Sequence, residues 1–326
     1  MKLLITGGTG MLGQALVRLY HDRFDIRFSG RNRTLGNALA AETGAQFFAV
    51  DLADQDGLEQ ACQDIDAVIH CAALSSPWGR LSDFEQANLH GTQQLLTAAE
   101  RQAVSRFVHI STPSLYFQFR DALDIHETQP LPQRFCNHYA TTKAAAEQAV
   151  INSAIPSVIL RPRGIFGPND NAILPRIIAA VRNGTLWLPS GRNPRVDLTY
   201  VDNVADAAIL AATREMTSGS IYNISNGEPV QLLDALSLLF EQLASPTRIR
   251  TLPYPLLAPV IAGVEKCYQH WPGQPEPTLT RYSAALFHYH QTLNIERARR
   301  DLGYQPKISI DEGIQRYVQW RQRSLV

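Results

Sequence analysis

A doubly wound α/β fold, a parallel sheet with helices on both faces, is predicted for this chain by three observations. Short apolar runs alternate with longer helix-period segments through the first half, a glycine-rich turn follows the first run immediately, and prolines accumulate after residue 160. Strands alternating with helices pair in parallel through right-handed crossovers. The 326 residues suffice for one large or two closely joined domains at roughly 100–200 residues each. Such a core needs no disulfide or metal staple.

The elements follow in order. Lys2–Thr6 reads as a buried strand, followed by the glycine turn and a helix through Gln14–Tyr20. Ile26–Ser29, Gln46–Val50, Ala67–Cys71 and Phe107–Ile110 are the next strands. Helices are expected at Thr34–Thr43, near Gln55–Gln63 and over a long Glu85–Gln102 stretch. Val158–Leu160 is a further strand, after which prolines at 162, 168, 175, 189 and 194, and again from Pro246 to Pro277, predict irregular segments. Ile221–Ile224 looks like a late strand returning to the sheet. Ile310–Trp320 carries a helical stripe of Ile310, Ile314, Tyr317 and Val318. Residues 1–163, with about 196–224 returning, are expected to form a dinucleotide-binding (Rossmann) domain. Residues of about 164–195 and 225–326 would form a smaller C-terminal substrate-binding domain.

Composition narrows the function classes. Thirty basic and thirty acidic side chains cancel, whereas nucleic-acid binders usually carry a basic excess, so no nucleic-acid partner is expected. Cys62, Cys71, Cys136 and Cys267 form no CxxC pair and no metal-ligand spacing, as expected of reduced thiols in a cytoplasmic protein. No charged-then-apolar leader precedes Gly7. The longest apolar stretch, Leu252 to Val264, is interrupted by Pro253, Pro255 and Pro259 and falls short of the ~20 residues that span a bilayer. No integral membrane segment is expected, which leaves peripheral contact open. His288-Tyr289-His290 lacks a third ligand at a useful spacing, so no metal is expected.

The chemistry is carried by two motifs. Gly7, Gly10 and Gly13 in Thr6-Gly7-Gly8-Thr9-Gly10-Met11-Leu12-Gly13 fit G-x-x-G-x-x-G at a strand-to-helix junction. Gly7 permits the tight turn, Gly10 lets backbone approach a pyrophosphate, and Gly13 lets the helix pack on the sheet. Helix-start N–H groups around Thr9, Met11 and Leu12 then stabilise phosphate charge. The second strand ends Ser29-Gly30-Arg31-Asn32-Arg33 without a carboxylate. A carboxylate there would accept from the ribose 2′-hydroxyl of NAD(H), whereas guanidinium groups suit a 2′-phosphate. NADP(H) is therefore expected over NAD(H), with Ser29, Arg31 and Arg33 as contacts, unless these arginines are only solvated. Asp51, followed by Leu52, fits either an adenine contact or a helix N-cap. Ala72 and Ala73, after the fourth strand, would leave room for cofactor ribose and phosphate.

Tyr139 and Lys143 stand at i, i+4 in Tyr139-Ala140-Thr141-Thr142-Lys143, on one helical face. An ammonium beside a phenol favours phenolate, which suits a tyrosine that exchanges a proton with a carbonyl or alcohol. Ser111 and Thr112, at the carboxyl end of the fifth strand, are the candidates to hold the substrate oxygen; both also suit a capped turn.

Together TGGTGMLG, HCAA, Ser111-Thr112 and YATTK resemble the extended short-chain dehydrogenase/reductase superfamily. The run Leu160 to Asp170, the segment Asp197 to Ala205 containing YVDN, and Arg299 to Pro306 extend the resemblance to nearly the whole chain. STPS and YVDNVADA look most like its 3β-hydroxysteroid dehydrogenase-like branch, within the wider epimerase/dehydratase group. The resemblance implies Tyr139 as acid/base, Lys143 as the residue orienting the nicotinamide ribose, and Thr112 as the second hydroxyl. Asn88 matches an asparagine that braces the site, or is merely buried and bonded to backbone. Arg161 falls among the implied cofactor contacts, and a homodimer is expected by analogy. Gly30-Arg31 departs from the acidic residue common in the branch's steroid enzymes.

The expected function is thus an NADP(H)-dependent interconversion of a secondary alcohol and a ketone. Trp78, Phe117, Phe119, Phe135, Phe166, Trp187, Leu256 and Leu257 suggest an apolar substrate: sterol-like, β-keto acyl or aromatic. They equally suit packing of the second domain. A sugar-nucleotide epimerase or dehydratase using NAD is the rival, with Arg163, Arg176, Arg192 and Arg195 as a diphosphate clamp. A non-catalytic dinucleotide sensor is the third reading, opposed by the intact tyrosine, lysine and hydroxyl set.

Overall fold

The computed structural model describes residues 1–324. Seven parallel strands form one sheet: β1 (Lys2–Thr6), β2 (Asp25–Ser29), β3 (Gln46–Phe48), β4 (Ala67–His70), β5 (Arg106–Ile110), β6 (Ser157–Pro162) and β7 (Ser220–Ile224). Their spatial order is β7-β6-β5-β4-β1-β2-β3. The winding reverses between β1 and β4, and sheets of this kind bind ligands beyond the carboxyl ends of the strands at such a switch. Thr6 lies opposite Ser29 on one side and His70 on the other, so the first glycine turn and the ends of β2 and β4 share that crevice.

The central strands carry continuous apolar runs, Leu3–Ile5 in β1 and Ala67–Ile69 in β4, because helices cover both faces. Leu3, Ile5, Ile69 and Val108 are buried in one core cluster, and Leu4, Val68 and Phe107 in the other. Helix α1 (Met11–Tyr20) starts earlier than expected, straight from Gly10, and buries Leu12, Leu16, Val17 and Tyr20. Asn32 caps α2 (Arg33–Thr43) by accepting from the Leu35 N–H at 3.0 Å, and Gly44, at φ 74°, ends it. Asp54 likewise caps α3 (Gln55–Cys62), accepting from the Gly57 N–H at 3.0 Å. Asp51 is therefore not the N-cap; its carboxylate closes a local turn on the Ala53 N–H at 2.9 Å.

The expected long helix is present but not regular. Leu81–Phe84 is α-helical, Glu85–His90 is a π-helical turn, and α4 (Gly91–Arg101) continues from it. Helix α5 (His138–Ile151) begins at Asn137, whose side chain accepts from the Ala140 N–H at 2.9 Å. After β6 the chain leaves the sheet and returns through α6 (Val201–Thr213) to β7, which pairs with β6.

The segment from Pro246 to Pro277 is more regular than its prolines suggest. Arg248–Thr251 pairs with Thr185–Leu188, and α7 (Tyr254–His270) follows, with Pro259 inside it. Pro255 falls in the first turn, where its missing N–H costs nothing. Pro259 removes an interior bond, at a cost of about 3 kcal/mol. The inward face offsets this: Tyr254, Leu257 and Ile261 pack with Phe117 and with Ala284 and Ala285 of α8 (Arg281–Leu286). Helix α9 (Ile310–Ser324) buries the expected stripe. Among the described residues no helix is long and apolar enough to cross a membrane.

Candidate active site

The glycine loop is shaped for close approach. Gly7 has φ +67°, and a Cβ there would lie 2.7 Å from the Ala72 nitrogen. At Gly13 a Cβ would lie 2.3 Å from the Gly7 oxygen, so the helix start and the loop occupy one another's only space. No side chain caps α1 at Gly10, which leaves the start of the helix to an anion. These residues fit a dinucleotide pyrophosphate. Thr9 closes over Gly30, where a Cβ would meet its Oγ1 at 2.7 Å. Met11 and Leu12 form the first turn of α1, Ser29 is buried at the end of β2, and Ala73 is exposed. Leu52 packs against Gly91 at the start of α4.

Arg31 is exposed, and its Nε lies 3.9 Å from the Asp51 carboxylate. The sequence places no carboxylate at the end of β2, but the fold brings one from beyond β3 to the same place. Arg161 departs further from expectation. It is buried on β6, paired with Glu147 of α5 at 2.9 and 2.5 Å and bonded to the Tyr116 hydroxyl. It braces the helix that carries Tyr139 and Lys143 rather than facing a cofactor.

Tyr139 is half-buried, with Ser75 and Thr112 beside its phenol. Burial raises its pKa, while the Ser75 and Thr112 hydrogen bonds pull it back down. The expected depression by Lys143 is not what the structure has. The lysine ammonium is buried and donates to His109 Nε2 at 3.0 Å and to the Ile110 carbonyl at 2.7 Å. Burial brings Lys143 down to about 8, against the upward pull of Glu147 and Cys71. The imidazole of His109 is held neutral by burial and by Lys143, which lets Nε2 accept from the ammonium.

Thr112 caps a short 3₁₀ turn (Pro113–Tyr116): its Oγ1 accepts from the Ser114 N–H at 3.1 Å and donates to Ser114 Oγ at 3.0 Å. Ser111 is buried and its hydroxyl has no partner among the described residues. Of the two candidates, Thr112 is the one that lies near enough to Tyr139 to lower its phenol's pKa. Asn88, in the π-helical turn, accepts from the Leu74 N–H at 2.7 Å and donates to the Leu74 carbonyl at 3.2 Å and to Thr142 Oγ1 at 3.1 Å. It thus ties the segment bearing Ser75 to the helix bearing Tyr139. Such a turn re-aims one side chain out of helical register.

Sequence reasoning missed Ser75, Ser114 and Tyr282. Ser114 Oγ and the Tyr282 hydroxyl stand 2.6 Å apart, which extends the Thr112–Ser114 pair into α8. Ser114 stands in the STPS run, but nothing local announces Tyr282, which is 168 residues further along. A cleft of about 440 Å³ opens here, with Pro77, Phe117, Phe119, Pro132, Phe135 and Tyr282 in its lining. Other aromatic expectations fail. Phe166 is core, against Tyr200. Trp187 is exposed beneath Arg250, and Leu256 is exposed on the outer side of α7. His288 bonds the Ser190 carbonyl at 2.6 Å, and His290 accepts from the Arg195 N–H at 2.7 Å.

A doubly wound sheet, a glycine cradle at its first turn, and a tyrosine and lysine on one helix beside a strand-end hydroxyl define an NAD(P)-dependent oxidoreductase of CH–OH and C=O groups, of the extended short-chain dehydrogenase/reductase type. The chain belongs to the 3-beta hydroxysteroid dehydrogenase/isomerase family, whose model matches residues 4–254. It is 37% identical to the uncharacterized protein YbjS of Escherichia coli, over 98% of this chain and 97% of that one. It is 34% identical to the 2-alkyl-3-oxoalkanoate reductase of Stenotrophomonas maltophilia, over 97% and 98% of the two chains. The fold is also that of a UDP-glucuronic acid 4-epimerase from Bacillus cereus solved with NAD, with a TM-score of 0.77 at 23% identity, covering 99% of this chain and 97% of that one.

Proposed function

We propose that this protein is an NADP(H)-dependent oxidoreductase that interconverts a secondary alcohol and a ketone on an apolar substrate, with Tyr139 as the acid/base. The observation that carries the reading is the Tyr139 phenol set near Thr112, whose partner Ser114 bonds to Tyr282 in the lining of an aromatic cleft. When bound, a reduced nicotinamide supplies the hydride. Tyr139 donates its phenolic proton to the carbonyl oxygen, and Thr112 holds that oxygen. Lys143, on the helical face it shares with Tyr139 and with its ammonium held by His109 and the Ile110 carbonyl, supplies positive charge at the carboxyl end of β5 and orients the nicotinamide ribose. Gly7, Gly10 and Gly13 hold the pyrophosphate. Residues 1–163 with 196–224 serve the dinucleotide, and 164–195 with 225–326 serve the substrate.

The NADP(H) preference rests on Arg31. Its contact with Asp51 is long and between exposed groups, and such pairs contribute about 0–1 kcal/mol, so the guanidinium is free to turn to a 2′-phosphate. The sugar-nucleotide reading is weakened by its own clamp. Arg176 is paired with Glu276 at 2.6 Å and Arg192 with Asp121 at 2.5 Å, and Arg163 is buried.

Titration of nicotinamide fluorescence with NADPH and NADH, on wild type and Tyr139→Phe, tests the reading. NADPH is expected to bind about tenfold or more tightly than NADH, as one charge-assisted contact implies. Tyr139→Phe is expected to lose turnover while keeping that affinity. NADH preference would overturn the Arg31 argument, and an active Tyr139→Phe would overturn the acid/base assignment.

A further inference from the structure

Two buried histidines lie side by side where β4 and β5 end, and only one of them is satisfied. His70 and His109 are opposite residues in the pairing of those strands, with ring centroids 5.4 Å apart. Both are almost wholly removed from solvent. In His70 both nitrogens are paired. Thr92 Oγ1 donates to the Asn88 carbonyl at 2.6 Å, so it accepts from His70 Nε2–H at 2.9 Å, which leaves Nδ1 to accept from Thr6 Oγ1 at 2.7 Å. His109 breaks that pattern. Its Nε2 accepts from the Lys143 ammonium at 3.0 Å, which puts the ring proton on Nδ1, and Nδ1 is buried with no partner among the described residues. Buried donors left unpaired are few in folded proteins and call for a reason. The other tautomer would set an Nε2–H against the ammonium, so the orphaned Nδ1–H is the consequence of keeping an acceptor for Lys143.

The groups around Lys143 hold its charge without cancelling it. An ammonium has three protons to donate; His109 Nε2 and the Ile110 carbonyl take two, and the third has no partner among the described residues. Glu147 stands one turn further along α5, but Arg161 holds both of its carboxylate oxygens. Cys71, at the end of β4, is kept a neutral thiol by burial, with its pKa pushed up to about 12. Burial likewise keeps Tyr139 a neutral phenol, and His70 has no free nitrogen. Both acceptors that touch the ammonium are therefore neutral.

We propose that His109 is a positioning residue for the nicotinamide cofactor: its neutral imidazole and the Ile110 carbonyl seat the Lys143 ammonium before the cofactor arrives, which keeps the lysine charged and leaves its third proton for the nicotinamide ribose. This rests on the role given to Lys143 above and extends it to a residue outside the tyrosine, lysine and hydroxyl set. A flexible four-carbon stem already fixed at its end loses less freedom on binding, so the seat acts on cofactor affinity and on its pH dependence.

The test follows NADPH binding by nicotinamide fluorescence from about pH 6 to 10, across the range where lysine and histidine charges change, in wild type, His109→Gln and His109→Phe. Melting curves establish that each variant is folded. Wild-type affinity is expected to fall about tenfold or more as the Lys143 ammonium is lost above about 8. His109→Phe keeps a ring but has no acceptor. It should bind about tenfold more weakly at neutral pH, and its loss of affinity should begin at lower pH, because an ammonium without that acceptor gives up its proton sooner. His109→Gln, whose amide oxygen replaces Nε2, should restore both to within about threefold of wild type. Wild-type affinity and pH dependence in His109→Phe would make the histidine a packing residue and overturn the seat. Failure of a folded His109→Gln alongside His109→Phe would overturn it too, since shape and not the acceptor would then matter. Nitrogen-15 shifts of the histidine rings in cofactor-free wild type give a second measurement, with His109 expected as the Nδ1–H tautomer and His70 as the Nε2–H tautomer. The opposite tautomer at His109 would overturn the seat even where His109→Phe does not fold. If wild type binds NADPH but reduces no ketone, the oxidoreductase reading fails while these measurements still decide the seat.

Discussion

Replacing Asn88 by alanine is the sharpest probe of how the site is held. The side chain is buried and makes three hydrogen bonds, two to the backbone of Leu74 and one to Thr142. Removing it strands the N–H and C=O of Leu74, each at about 1–3 kcal/mol when unpaired. Leu74 is only half-buried, so water recovers part of this and a total near 3 kcal/mol is expected. That corresponds to a melting shift of about 4 °C. The functional effect follows from the neighbour: Ser75 lies beside the Tyr139 phenol, and displacement of a reacting group by about 1 Å costs up to ~100-fold in rate. Thermal melts and steady-state kinetics should show a kcat loss of about 10- to 100-fold, with cofactor affinity kept. Asn88→Asp retains the acceptor for the Leu74 N–H but faces two oxygens with a carboxylate, so its activity should improve on acidification, when the acid can donate. Destabilisation of Asn88→Ala with kcat within threefold of wild type would refute the positioning argument and leave Asn88 a structural residue.

Two further outcomes follow from the same geometry. Lys143 has its folded pKa pulled down from 10.5 to about 8 by burial. Between those values the unfolded chain binds more protons, so this group makes stability rise with pH from 8 toward 10.5, and its penalty is fully present below 8. Melting curves of wild type against Lys143→Met should diverge in that window, with wild type gaining; parallel curves would contradict the burial of an ammonium. Gly13→Ala puts a methyl group 2.3 Å from the Gly7 oxygen and 2.5 Å from the Gly8 Cα, backbone atoms that cannot turn aside. A cost of about 1–3 kcal/mol and at least tenfold weaker NADPH binding are expected by melting and fluorescence titration.

What the sequence makes legible here is local. The central strands follow from apolar runs such as Leu3–Ile5 and Ala67–Ile69, because burial on both faces leaves them no polar alternation. The glycine loop and the Tyr139–Lys143 pair are legible because their meaning depends on spacing along one turn or one helix. Contacts between distant segments are not encoded in any short window. Arg161 stands beside a recognisable motif, yet Glu147 of α5 claims it. Asp51 reaches Arg31 only because β2 and β3 are neighbours. Tyr282 becomes part of the site only when α8 docks on Ser114. Helix α7 was hidden for a different reason: prolines report the local cost, while the packing of Tyr254, Leu257 and Ile261 that offsets it is tertiary.

The return of the chain to β7 shapes how the molecule can be divided. β7 lies at the sheet's edge, in register with β6 from Ser220 opposite Val158 to Ile224 opposite Pro162. A fragment stopped at residue 163 would end in a bare β6, a row of unpaired peptide groups open to other copies. No single cut therefore frees a self-sufficient dinucleotide module. Recombining the cleft of one relative with the sheet of another would require grafting two separate stretches at once, on either side of that strand.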